Sequence, residues 1–440
     1  MRFLRTLAAL AVAVCVALIA VAFAAYGSSQ SAARERAAVP AKVFEPFGWQ
    51  ASVPKSPPGP ATLLVSGQGW GLRGVTFKGK VAVIGESGVY RMQRYTKDVE
   101  AGEDVLLSPD GQLIVDATYT VPAGYVTKAE TPPAAGDLPL WFTDLTTGRT
   151  TRMTVPGDGE VRPVAWSPNG AKLLVEVAAA PTEGPWPGGR LELLDLRTGE
   201  VKVAADLGST LVHRAQLAAF SPNGRLVAVQ IDTALVVLDL TTGTRRTLAT
   251  LSPDQRLAGI GAWSDDGSQI ALLTMAGCSL SCTKTELDER RWQISELDAF
   301  NGTTSTGEYP TLTGLSVRVL GRLPSGQLAV ARYRAYDKLL SDNAGNLEVG
   351  SKIVEETDYR AVGGVALLRL EPGGGQHSLV ALPDGVSHVD VAADLVRAGR
   401  FDGKSPRPMP LPAPAWVWAL LIGLLLFVAS LYRQVRRGRS

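Results

Sequence analysis

Ser167-Pro168-Asn169-Gly170 and, one pair of short apolar runs later, Asp195-Leu196-Arg197-Thr198-Gly199 decide the fold, because each is one copy of a recurring turn. The tetrad returns as Ser108-Pro109-Asp110-Gly111, Ser221-Pro222-Asn223-Gly224 and Ser264-Asp265-Asp266-Gly267, with a degraded copy at Leu323-Pro324-Ser325-Gly326. Proline at the second position pre-sets φ, Asp or Asn suits the third, and glycine accepts a left-handed fourth. The pentad returns as Asp144-Leu145-Thr146-Thr147-Gly148 and Asp239-Leu240-Thr241-Thr242-Gly243. Weaker copies are Asp298-Ala299-Phe300-Asn301-Gly302 and Arg369-Leu370-Glu371-Pro372-Gly373. Its aspartate suits bonding to the turn backbone, and its glycine again permits φ > 0. One such aspartate per unit points to turn capping rather than to metal or acid–base chemistry. The runs ahead of the pentad, such as 191–196 and 235–240, are short and β-compatible.

A bulky residue stands before each tetrad: Leu107, Trp166, Phe220 and Trp263, with Arg322 breaking the series in the last copy. Recurrence in one register reads as packing between neighbouring units, not as an aromatic binding cluster. The pairing of an S-P-[DN]-G turn with a D-L-x-T-G turn resembles the TolB-type, WD-repeat-like β-propellers, over roughly residues 63–396. That resemblance implies an all-β ring of blades and says little of function. The WD dipeptide and its paired histidine are missing, and no TolB-like amino-terminal domain is recognised, so a role in the Tol system does not carry over.

Five units carry both turns. A sixth is read from 80–95, where Val81-Ala82-Val83-Ile84 and 89–95 look like strands, and 387–396 reads as one further strand. That last strand is placed to join the N-terminal ones in a shared blade, which closes the ring and removes the exposed sheet edges. The expected architecture is a six-bladed β-propeller over 61–397, with seven blades left open, flanked by N-terminal and C-terminal hydrophobic helices.

Glycine (46) and proline (28) supply the many turns such a chain needs, and the 45% apolar fraction suits a folded protein. The formal charge of +2 misleads, because Arg2, Arg5, Arg433, Arg436, Arg437 and Arg439 sit at the extreme ends. Without them 38 basic residues face 42 acidic ones. A body of net charge −4 carries no electrostatic footprint for nucleic acid.

Residues 7–25 form an uncharged apolar run after Arg2 and Arg5, at about 28 Å long enough to span a hydrocarbon core. Ala22-Phe23-Ala24 equally suits a cleavage site, so 1–25 reads as either a signal peptide or a transmembrane anchor. Residues 415–432 are uncharged, with Trp416 and Trp418 at one edge, Tyr432 at the other, and four arginines following. That pattern is a transmembrane helix whose 433–440 tail faces the cytoplasm, placing the propeller outside. Residues 26–60 read as a tether and 398–414 as a stiff proline-rich spacer, from Pro406, Pro408, Pro410, Pro412 and Pro414.

In a blade of this kind both marked turns fall on one face of the disc. The connections between second and third strands fall on the other, and they carry the length variation. The marker glycines are 37, 29, 19, 35 and 47 residues apart in successive units. The shortest needs only Asp232-Thr233 as its link, whereas the others insert 119–137, 179–189, 275–291 and 334–363. Four long loops on one face make it the default binding surface. The longest holds the candidate contact residues Tyr336, Asp337, Lys338, Asp342, Glu355, Glu356 and Tyr359. Cys278 and Cys282 lie in another, where a short-range disulfide is expected outside the cytoplasm.

No catalytic motif stands up. Gly69-Trp70-Gly71-Leu72-Arg73-Gly74 has the letters of a dinucleotide loop but leads into a strand-like stretch instead of a helix. A G-x-S-x-G elbow is absent. His213, His377 and His388 are too scattered for a metal motif, so no cofactor and no metal are expected. The reading is a non-enzymatic, membrane-tethered extracytoplasmic propeller that contacts a protein or cell-envelope component. The alternative is a hydrolase- or lactonase-type propeller enzyme that assembles its ligands from several blades in the central funnel.

Overall fold

The computed structural model describes residues 37–47, 50–67, 80–95, 99–116, 136–157, 159–178, 189–208, 216–279, 282–306, 309–335, 362–408 and 422–429. Residues 1–36 and 430–440 lie outside them, as do the glycine-rich run at 69–74 and His213.

Six antiparallel sheets form the body. Blade II shows the plan, with Val105–Leu107 innermost, then Leu113–Asp116, Asp137–Asp144 and Thr150–Pro156 outermost. Blade III (Glu160–Trp166 to Val201–Asp206), blade IV (Ala218–Phe220 to Arg245–Thr250), blade V (Gln255–Leu257 to Thr304–Thr306) and blade VI (Ser316–Arg322 to Gln376–Val380) repeat it. Blade I is composite. Its outer strands Ala61–Ser66, Lys80–Gly85 and Tyr90–Arg94 come from the N-terminal side, and its innermost strand is His388–Val391. The expected overlap of chain ends therefore closes a ring of six. The strand expected over 387–396 is shorter than that, because Ala393–Arg397 turns into a one-turn helix.

The middle strands are buried on both faces between neighbouring blades, so many of them, such as Leu226–Ile231 and Ala234–Asp239, read as largely continuous apolar runs rather than alternating ones. Lys80–Gly85 is buried from Val81 onward. Val201–Asp206 and Arg245–Thr250, on the rim, are largely exposed and polar.

The turns behave as their chemistry requires. Gly111, Gly170, Gly224 and Gly267 have φ between +67° and +73°. In each tetrad the glycine N–H donates to the serine carbonyl at 2.8–2.9 Å. The serine hydroxyl does more than the sequence suggested. It donates to the third residue's side chain at 2.6–2.8 Å and accepts the N–H two residues beyond the glycine. In the pentads Asp144, Asp195, Asp239 and Asp298 each accept backbone N–H groups two and three residues on. These aspartates are caps. The tight link of blade IV is Asp232-Thr233, with Asp232 at φ +50° joining the paired Ile231 and Ala234.

Two stretches expected as free linkers lie against the body. Val39, Val43 and Val53 are buried, and Val39 and Ala41 N–H groups donate to the carbonyls of Arg400 and Gly403. Pro406 fills the space over Gly88, and Lys42 and Arg407 flank the Phe44 ring at 5.0 and 5.7 Å. Apolar residues spaced through 39–53 drive this docking, since leaving them in water forfeits their burial energy.

Among the described residues no helix is long and apolar enough to cross a membrane. Of residues 415–432, 422–429 are described; they are helical, and Ile422, Leu424, Leu425, Leu426, Phe427 and Val428 are all exposed.

Candidate functional site

Residues of non-neighbouring blades meet where inner strands approach the ring axis. The bulky residues before the tetrads pack across blade seams, as their register implied. Trp166 of blade III meets Phe142 of blade II edge-on, with ring centroids 6.1 Å apart. The Trp263 indole N–H of blade V donates to the Ala219 carbonyl of blade IV at 3.0 Å. The same residues also line a cavity of about 110 Å³, together with Pro109, Pro168 and Pro222 of the tetrads. Packing and cavity lining are thus one arrangement, because a residue at the end of an inner strand faces both its neighbour and the axis.

Asp390 on the closing strand also reaches this cavity. Its carboxylate accepts the Leu107 N–H at 2.7 Å and the Val391 N–H at 3.1 Å. Burial pushes its pKa up to about 6, against the opposing influence of Arg318 and of those backbone donors.

Toward the long-connection face the axis is crossed by polar side chains. Arg318 of blade VI is 1% exposed and donates to the carbonyls of Gly102 (2.6 Å) and Val389 (2.9 Å). Gln216, entering blade IV, donates to the Val317 carbonyl of blade VI at 3.0 Å. Burial works to lower the Arg318 pKa, but Tyr333, Asp390 and Glu103 outweigh it and hold the guanidinium charged. Burial also drives the Tyr333 phenol well above its usual range.

Glu100, Glu103 and His388 stand beside this crossing, all buried, with one donor atom from each within 4.8 Å of the others. His388 Nε2 lies 3.7 Å from Glu100 Oε2, while its Nδ1 is 2.8 Å from Ser387 Oγ. The Tyr333 ring packs against the imidazole at a centroid distance of 5.8 Å. One imidazole and two carboxylates are a donor set that suits a divalent cation. Histidine spacing alone does not reveal this group, because His388 lies far along the chain from both glutamates. The acid-rich Glu100-Ala101-Gly102-Glu103-Asp104 was the available signal, but its partner is supplied only by ring closure. Nearby, Tyr95 Oη donates to Asp116 Oδ1 at 2.5 Å, and burial raises both pKa values well above normal.

Cys278 and Cys282 are bonded, with Cα atoms 5.8 Å apart. Arg290 donates to the Cys278 carbonyl at 2.8 Å. A short helix, Lys284–Asp288, follows behind a Thr283/Glu286 capping box. Its Asp288 carboxylate accepts the N–H of Ala335 at 2.8 Å, and Ala335 is the residue before the longest connection. The candidates Tyr336, Asp337, Lys338, Asp342, Glu355, Glu356 and Tyr359 lie outside the described residues. The strands that carry them, Leu328–Ala335 and Val362–Leu370, are paired from end to end.

No family model matches the chain, and no curated protein matches it. Among solved structures it is similar to TolB from Acinetobacter baumannii, at 14% identity and a TM-score of 0.42, covering 76% of this chain and 66% of that one. The chain thus spans just under two thirds of that TolB. It is similar to an oligogalacturonate lyase in complex with manganese at 13% identity and a TM-score of 0.41, covering 77% of each. A chain of a nidogen/laminin complex follows at 12% identity and a TM-score of 0.40, covering 76% of this chain and 99% of that one. In its own geometry, six antiparallel sheets closed into one ring, the chain is a six-bladed β-propeller.

Proposed function

We propose that this protein is an extracytoplasmic propeller tethered to the cell membrane, which binds a protein or another envelope component through its long-connection face. The observation that carries the reading is the asymmetry of the disc. One face consists of tight, self-capped turns, while the other carries the strand ends that bound the long connections, Asp116 and Asp137, Ala178 and Arg190, and Ala335 and Val362. Function rides on such loops when a rigid scaffold holds their ends. Here the ends of the longest one are held by the strand pair that reaches Ala335 and Val362, and by Asp288 on the helix that follows the Cys278–Cys282 disulfide. The exposed apolar face of 422–429 and the aromatic and arginine flanks of 415–432 support the tether.

The test is photo-crosslinking from the 336–361 loop in intact cells, with a companion protein in which that loop is cut to a two-residue link. A recurrent crosslinked partner, lost from the shortened protein while its ring still folds, supports the proposal. Unchanged partner capture after shortening refutes the assignment to this loop. The alternative reading, an enzyme working in the funnel, draws on Glu100, Glu103 and His388. Their burial beneath the Arg318 crossing counts against access by a substrate of any size.

A further inference from the structure

We propose that Glu100, Glu103 and His388 form a site for one divalent transition-type cation, such as Zn²⁺, that clasps the two ends of the ring together. Three observations bear on it. The donors come from opposite ends of the fold, since Glu100 and Glu103 enter blade II and His388 opens the closing strand of blade I. They converge, with one donor atom of each within 4.8 Å of the others. The spacing also suits an ion between them better than a direct bond. A His388 Nε2 to Glu100 Oε2 distance of 3.7 Å is too long for a hydrogen bond. It is close to what two ligands about 2.1 Å from a shared ion leave between them.

The imidazole is prepared for that role. Ser387 Oγ engages Nδ1 at 2.8 Å, the kind of outer-shell contact that orients the ring of a ligating histidine. Tyr333 packs on the ring and fixes its plane. Arg318 does not occupy the site with its terminal nitrogens, which are committed to the Gly102 and Val389 carbonyls. The neighbouring Asp104 carboxylate is turned back onto the Glu100 N–H at 3.1 Å and so braces the loop that carries both glutamates. Mixed nitrogen and oxygen donors favour zinc or a neighbouring first-row ion over calcium, which prefers oxygen alone. Because all three donors are buried, the ion enters as the ring closes, and binding is coupled to folding. The role is structural, distinct from partner binding on the loops.

The full-length protein in detergent is stripped with a chelator and back-titrated with Zn²⁺, read by metal analysis and by thermal unfolding. One Zn²⁺ per chain and an upward shift in Tm are expected. Co²⁺ in its place reports imidazole coordination through its visible ligand-field bands. Ser387→Ala, which keeps all three ligands, is expected to weaken binding by about tenfold. Glu103→Gln and His388→Gln are expected to abolish stoichiometric binding. If a ligand variant fails to fold, the wild-type titration and Ser387→Ala still decide. A stripped wild-type protein that takes up no Zn²⁺ at micromolar concentration, or binding left intact by the folded variants, overturns the proposal. Failure here leaves partner capture by the loops untouched, since the two are read separately.

Discussion

Replacing Arg318 with methionine is the sharpest test of how the ring is held closed. Methionine replaces the apolar stem of the side chain and removes its charged head. The native guanidinium, 1% exposed, donates to Gly102 of the blade II entry and to Val389 of the closing strand. Hydrogen bonds from a charged donor contribute about 1.5–3 kcal/mol each, and removing one partner from a buried charged network costs about 3–5 kcal/mol. A loss near 4 kcal/mol is expected, a large share of the stability of most domains. The loss should also depend on pH. Asp390 has a native pKa of about 6, above its ordinary 3.8, so its ionisation destabilises the native state as pH rises through that window. Arg318 opposes this rise. Without it the carboxyl pKa climbs further, and the penalty for Arg318→Met is larger at pH 8 than at pH 5. Urea unfolding of the full-length protein at the two pH values measures both effects. A loss below about 1 kcal/mol, or an equal loss at both pH values, would refute the assigned role. The double variant with Asp390→Asn should recover part of the loss at pH 8, since the two side chains are coupled.

The turn glycines are not equivalent to one another. Gly111→Ala places a methyl 2.0 Å from the Ala61 carbonyl at φ +73°, whereas Gly243→Ala, at φ +70°, meets nothing within 4 Å. Both lose about 1–2 kcal/mol for the left-handed backbone, and only Gly111→Ala adds a clash between blades I and II, visible as a lower urea midpoint. Alkylation without reductant should leave Cys278 and Cys282 unmodified, and both should react after reduction; modification of either beforehand contradicts the bond. Asp239 and Asp266 have pKa values lowered to about 2, by Arg225 and the turn donors in the first and by Ser264 and Ser268 in the second. What they contribute is present above pH 4 and is lost as pH falls toward 2, so Asp239→Asn and Asp266→Asn should flatten acid unfolding in that window, followed by circular dichroism.

The blades and their turns were legible because their chemistry is local. Ser167, Asn169 and Gly170 bond to one another and to the strand they introduce, so four letters specify the turn. Asp239 likewise bonds to its own turn. The composite blade was also foreseeable, as one strand was left over at the end of the count. The docked arms were not, since the pairing of Val39 with Arg400 joins segments whose composition reads as linker. The axial cluster was hidden for the same reason.

The sequence by itself determined the repeating unit, the hand-over from one turn to the next, and the face on which the long connections lie, since each follows from backbone preferences within a few residues. Only the tertiary structure decided what meets at the axis. Leu107 and Asp390 are 283 residues apart, and His388 reaches Glu100 and Glu103 only after the last strand has paired with Ala61–Ser66. Contacts at that separation leave no spacing to read, because their distance is set by closure of the ring and not by any run of the chain.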